Sequence, residues 1–125
     1  MTLAERFVEA ARAADADAYR SLCSPDSRHW VNIGPVEHAL DERAALLARE
    51  RELLAEFDMT DVRVRDTDTG FVVQSNARGT LHSGETIAMA LCAVVTCEGD
   101  RIIRVEEYVD SAAAAPLLRA VFTSP

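Results

Sequence analysis

Both faces of an alternating pattern are apolar over residues 86–97. Ile87, Met89, Leu91, Ala93 and Val95 make one row, and Thr86, Ala88, Ala90, Cys92 and Val94 the other. A strand of that composition belongs in the middle of a sheet that is covered on both sides. Its neighbours in sequence extend the same sheet. Val62 and Val64 alternate with Asp61, Arg63 and Arg65, residues 71–80 form a second run, and residues 101–109 a last one. Turn clusters separate them: Asp66-Thr67-Asp68-Thr69-Gly70, then Ser83-Gly84, then the tight hairpin Glu98-Gly99-Asp100. Short turns between successive strands predict an antiparallel meander.

Upstream the period is helical. Thr2 and Glu5 fit a capping box, and Leu3, Phe7, Val8 and Ala11 recur at helix spacing to about residue 14. A shorter helix is predicted over 15–22, with Ala18, Tyr19 and Leu22 on one side and Ser24-Pro25-Asp26 as its stop. Residues 28–33 suit a short strand ended by Gly34-Pro35. A long helix is expected over 41–57, with Leu46, Leu47, Glu50, Leu53, Leu54 and Phe57 along one stripe. Arg49, Glu52 and Glu56 fall outside that stripe, and Arg43, Glu50 and neighbouring charges read as a solvated face. Asp110-Ser111 starts a terminal helical turn whose second part opens at Pro116. Helices followed by a meander predict an α+β domain, a curved antiparallel sheet packed on one side by the N-terminal helices and the long helix.

The 125 residues suit one domain, 1–125, and with 49% apolar residues a core forms without disulfide or metal staples. Three cysteines, Cys23, Cys92 and Cys97, have no paired spacing and read as reduced thiols. A net charge of −8 without a basic stripe argues against nucleic acid. No apolar run approaches the ~20 residues that span a bilayer, and the charged first helix is unlike a signal peptide. The expectation is a soluble, cytoplasmic protein with no membrane partner. His29, His38 and His82 stand singly, without metal-ligand spacing, and there is no Gly-rich phosphate loop or nucleophile motif. No metal and no cofactor are therefore assigned.

One residue in the last strand breaks its pattern. With a period of two, Ile103, Val105, Glu107 and Val109 share a face, so a carboxylate is embedded in an apolar row. The other row carries Ile102, Arg104, Glu106, Tyr108 and Asp110.

The order of elements resembles the nuclear transport factor 2-like (cystatin-like) superfamily over nearly the whole chain. Gly99-Asp100-Arg101-Ile102-Ile103 followed by Glu107-Tyr108-Val109-Asp110 is similar to the ending of SnoaL-like domains and limonene-1,2-epoxide hydrolases. Trp30-Val31-Asn32-Ile33-Gly34-Pro35 is similar to a stretch of those hydrolases. The resemblance implies a cone-shaped sheet around a deep apolar cavity, with an inward acid on the final strand at Glu107. It also aligns Asn32 and Trp30 with residues that hold the attacking water in the hydrolases, and Gln74 and Asn76 with their Arg and Asp. Ketosteroid isomerases share the fold, but Val31 and Asn32 stand where their Asp base would be.

The function this implies is a SnoaL-like enzyme that moves a proton on a small apolar molecule, as an isomerase or cyclase does. Glu107 would transfer the proton, while Asn32, Gln74 and Asn76 orient a carbonyl, hydroxyl or water. Glu107 and Asn76 are expected in one cavity. Trp30, Arg78, Val105 and Met89 are candidate substrate contacts, with Phe71, Val73 and Leu91 as further wall residues; Arg78 either pairs with Glu107 or reaches solvent. With neutral Gln74 and Asn76 in place of a charged pair, efficient hydrolysis of simple epoxides is not expected. A non-catalytic ligand-binding or dimeric interaction module is the alternative. The second apolar row of the central strand predicts a homodimer through the sheet's outer face.

Overall fold

The computed structural model describes residues 1–33 and 36–123. Helix α1 (Leu3–Ala13) opens with the expected box: Glu5 N donates to Thr2 Oγ1 at 3.1 Å and Thr2 N to Glu5 Oε1 at 3.2 Å. Asp15 caps α2 (Ala16–Leu22) by accepting from Ala18 N at 3.0 Å. Strands β1 (Cys23–Val31) and β2 (Val36–Ala39) precede α3 (Leu40–Leu53), and β3 (Leu54–Thr67), β4 (Gly70–Leu81), β5 (Thr86–Glu98) and β6 (Arg101–Val109) form the meander. Helix α4 (Ala115–Thr123) follows a turn in which Ala113 N donates to Asp110 Oδ1.

The six strands run in the order β2-β1-β6-β5-β4-β3. This corrects the fully antiparallel expectation: β1 pairs with β6 in parallel, so the curved, unclosed sheet is mixed. Strand β1 begins at Cys23, well before residue 28. Its register jumps from Cys23 opposite Ile102 to Arg28 opposite Arg104. The chain bulges out around Pro25, which has no amide to give the ladder, and the same residues mimic a helix stop in sequence. Strand β2 was not anticipated, and the turn expected at Gly34-Pro35 lies outside the described residues.

Helix α3 ends at Leu53 rather than 57 because β3 starts there. Leu54 lies opposite Leu81 and Phe57 opposite Gly79, with a register shift between Leu54 and Glu56. That shift turns both apolar side chains inward and reproduces the three-residue spacing of a helix stripe. Gly79 is required at the crossing, since a Cβ there would meet Glu56 O at 2.8 Å. Farther along β3 another irregularity, with Asp61 at φ 54°, folds Val62 back towards the core.

The core lies between the concave sheet and the helices. Phe7, Val8 and Ala10 of α1, Tyr19 and Leu22 of α2 and Leu47 of α3 pack on Phe71, Val73, Val95, Ile102 and Val105. The β5 rows fall as the sequence predicts, Ile87, Ala93 and Val95 buried and Ala88 and Ala90 exposed. In β6 a bulge corrects the parity. Cys97 pairs with Ile102 and Thr96 with Arg104, which leaves Ile103 as the extra residue. Ile102, expected on the outer row, is therefore fully buried at 0% exposure, while Ile103 is half-buried.

Candidate functional site

Between sheet and helices a cavity of about 220 Å3 remains, far above the ~15 Å3 a single water needs. Most of its wall is apolar, including Val73, Met89, Leu91 and Val105 from the sheet and Leu46 and Leu47 from α3. The polar groups that reach it are few: Tyr19, His29, His38, Arg43, Glu50, Ser75 and Glu107.

Sheet register places these groups in layers. His29 lies beside Val105 and opposite His38, and the next inward layer carries Val31, Glu107, Ala93 and Val73. One layer farther are Val109, Leu91 and Ser75. Glu107 thus faces the cavity, half-buried, and its carboxylate has no hydrogen bond among the described residues. Ser75, 3% exposed, likewise shows no hydrogen bond from its hydroxyl among the described residues.

Helix α3 faces this layer with charge. Arg43 and Glu50, two turns apart on one face, form an ion pair of 3.4 Å with side chains only 19% and 26% exposed. Burial opposes the charge on Arg43, but Glu50, then Glu107 and Tyr19, more than offset it and hold the guanidinium protonated above its ordinary range. Glu50 is raised as well, which for a carboxyl opposes the charge: burial raises it, Arg43 lowers it in part, and the nearby charge of Glu107 raises it again.

Beneath Arg43 lies a buried chain. The guanidinium sits 5.8 Å from the centre of the Tyr19 ring, Tyr19 OH meets His29 Nδ1 at 2.7 Å, and His29 Nε2 meets Ser27 Oγ at 2.8 Å. Tyr19, His29 and Ser27 are 3%, 2% and 1% exposed. Burial, reinforced by the charges of Arg43, Arg28 and His38, lowers His29 to about 4, so the imidazole is neutral at pH 7. Tyr19 is raised far above the usual phenol by burial, and its proton stays on. A neutral imidazole donates through one nitrogen and accepts through the other, so the chain has one donor direction at a time.

Several sequence-expected site residues lie elsewhere. Gln74, Asn76 and Arg78 share the outer face of β4, Asn76 and Arg78 exposed, because Phe71, Val73, Ser75 and Ala77 take the buried parity. Asn76 and Glu107 are therefore not in one cavity, and Arg43 rather than Arg78 supplies the charge near Glu107. Asn32 closes the β1–β6 edge: its Nδ2 donates to Val109 O at 3.2 Å and its Oδ1 accepts from Val109 N at 3.1 Å. Trp30 borders the cavity, but its ring packs edge-on against Tyr108 at 5.2 Å. Phe71 packs on Phe7 in the core instead of lining the wall.

Arg43, Glu50, Tyr19, His29 and Ser75 went unread as site residues. Only Glu50 carried a signal, a carboxylate within an apolar stripe like Glu107. Among the described residues no group of His, Cys, Asp and Glu side chains converges as a metal site, and no helix among them is long and apolar enough to cross a membrane.

Residues 4–105 match the SnoaL-like domain. The chain belongs to that family. No curated protein matches it. Solved structures similar to this SnoaL-like chain include a candidate polyketide cyclase from Xanthomonas campestris pv. campestris, 21% identical over 94% of this chain and 93% of that one, at a TM-score of 0.78. Another is a protein of ketosteroid isomerase-like fold from Catenulispora acidiphila DSM 44928, in complex with trimethylamine, 12% identical over 92% of both chains at a TM-score of 0.78. A third is an LEH-like epoxide hydrolase from M. tuberculosis, 19% identical over 95% of this chain and 89% of that one at 0.72. At these identities the likeness establishes the fold, which is the one the motifs implied.

Proposed function

We propose that this SnoaL-like domain is a small-molecule enzyme that transfers a proton within one bound, largely apolar substrate. The observation that carries this is Glu107, a carboxylate without a hydrogen bond among the described residues, facing an apolar cavity beside the Arg43–Glu50 pair. In such a site Glu107 removes a proton from a carbon next to a carbonyl. The electron pair moves onto the carbonyl oxygen, where the Arg43 guanidinium stabilises the developing charge. Return of the proton to a different carbon gives the isomer, and attack of the enolate carbon on a second carbonyl of the same molecule gives a ring. Neither outcome needs a cofactor.

The test is deuterium uptake α to the carbonyl for a panel of aryl and alkyl ketones in heavy water, followed by NMR. Wild type should exchange above the buffer rate, and Glu107→Gln should lose about 10²-fold or more. Equal exchange by the two proteins sinks the assignment.

A second reading has support from the same cluster. Epoxide opening needs an acid for the leaving oxygen and a base for water, and the sequence offered only one carboxylate. Glu50 on α3 is a second carboxyl on the same cavity, raised by burial, which supports it as the acid for the leaving oxygen. Diol formation from limonene oxide and styrene oxide, lost in both Glu50→Gln and Glu107→Gln, would favour this reading over isomerisation.

A further inference from the structure

The cavity is divided along its length. Its polar groups cluster around the layers of His29, Glu107 and Ser75, with Arg43 and Tyr19 over them. Four residues along β5 from Ala93, the partner of Glu107, stands Met89, about 13 Å away at strand rise. Met89, Phe57 and Val121 pack in one apolar cluster there, and Leu118, one turn before Val121 on α4, also lines the cavity; none of the four is ionisable. Along α3 the same division holds: Arg43 lies at the polar end, and Leu53, ten residues or about 15 Å on, packs in the separate apolar cluster that seats α4 through Leu117. The family match stops at Val105, so this far wall is built partly by a helix outside the matched region.

We propose that the cavity takes an elongated amphipathic molecule, with a single oxygen function at the Glu107 end and a hydrocarbon tail running towards α4, and that Leu118 and Val121 set the tail length. The proposal rests on reading this cavity as the ligand site and specifies its ligand class. Among the described residues the Ser75 hydroxyl and the Glu107 carboxylate have no hydrogen bond, so both are open to a ligand at the head, beside the Arg43–Glu50 pair. Among the described residues none of those at the tail end is ionisable, so a molecule polar at both ends would bury one group unsatisfied. Apolar body with few convergent polar groups is the usual form of a small-molecule site.

The experiment is calorimetric binding of straight-chain 2-alkanones, from 2-butanone to 2-undecanone, to the whole protein. Each methylene buried in the tail region should tighten binding about fourfold, until the tail is filled and the trend stops. Leu118→Trp should move that stop to a shorter ketone, and the milder Val121→Phe should move it the same way by less. Affinity that does not rise with chain length, no binding by any member, or an unchanged stopping point in both variants would overturn the proposal. Exchange of the ketone α-protons, followed with wild type on the same series, separates this from the proton-transfer reading. Tail-dependent binding without α-proton exchange in wild type removes the enzymatic reading alone; exchange with tail-independent binding removes the tail site alone.

Discussion

Replacing Arg43 by Met keeps the length and apolar stem of the side chain while deleting the guanidinium that pairs with Glu50. Taking one partner from a fully buried pair costs about 3–5 kcal/mol. Because these side chains keep 19% and 26% exposure, a cost of about 2–3 kcal/mol at pH 7 is the better figure. For a domain of this size that lowers Tm by roughly 10 °C. The loss depends on pH with a defined sign. Glu50 already titrates above the ordinary carboxyl range in the folded protein. The stability linked to its proton is therefore present below the unfolded value and disappears as pH rises through the folded one. Without Arg43 the only influence lowering Glu50 is gone and Glu107 still raises it, so the proton is held to higher pH. The Arg43→Met deficit, measured by urea unfolding against wild type, should be small at pH 5 and full at pH 8. Adding Glu50→Gln removes the stranded charge, should restore most of the deficit at pH 8, and should flatten its pH dependence. A deficit equal at both pH values, or a double variant no more stable than Arg43→Met, would refute the buried pair and its electrostatics.

Further outcomes follow from other parts of the molecule. His29, held at about 4 against an ordinary 6.5, stabilises the fold fully above pH 6.5 and loses that contribution as pH falls towards 4, about 3 kcal/mol in all; His29→Gln should lack this slope in urea titrations. Cys23, buried and pushed up to about 11, should react slowly with Ellman's reagent in any state of assembly, whereas Cys92 on the outer row of β5 should react fast where that row is free and slowly where a second copy covers it. We also propose a homodimer through the outer face, centred on Ala88, Ala90 and Val94; Ala90→Arg should give a monomer by light scattering, and a wild type already monomeric at micromolar concentration ends that proposal.

What the sequence discloses depends on whether a signal is local. The meander was legible because each turn cluster is contiguous and each strand has a period of two. Glu107 was legible for the same reason, a charge in an apolar row. Gln74 and Asn76 were misplaced although the pattern contained the correction: Phe71 and Val73 have the opposite parity, and the two sets cannot share one face. The bulge at Ile103 was hidden, since an extra residue in one strand is defined only by its partner's register. Leu54 and Phe57 fitted a helix stripe because an irregular strand gave the same spacing. Tyr19, His29 and Ser27 come together from α2 and a distorted β1, and nothing along the chain marks them as one chain of hydrogen bonds.

Arg43 explains why the two cavity carboxyls are not equivalent. It holds Glu50 by a direct contact and acts on Glu107 only through charge. Burial holds Glu50 above the ordinary carboxyl range although Arg43 pulls it down, whereas Glu107 keeps its oxygens free of any hydrogen bond among the described residues. Two carboxyls equally paired to one guanidinium would both be satisfied and would give a ligand nothing to bind. Two with no guanidinium would share a proton and expose a repulsive pair to an apolar pocket. The observed arrangement avoids both, and it uses the Tyr19 ring, fixed by His29 and Ser27, as the surface on which Arg43 rests. Ser27, remote from the cavity carboxyls, is thereby joined to Arg43 through His29 and Tyr19 by three contacts.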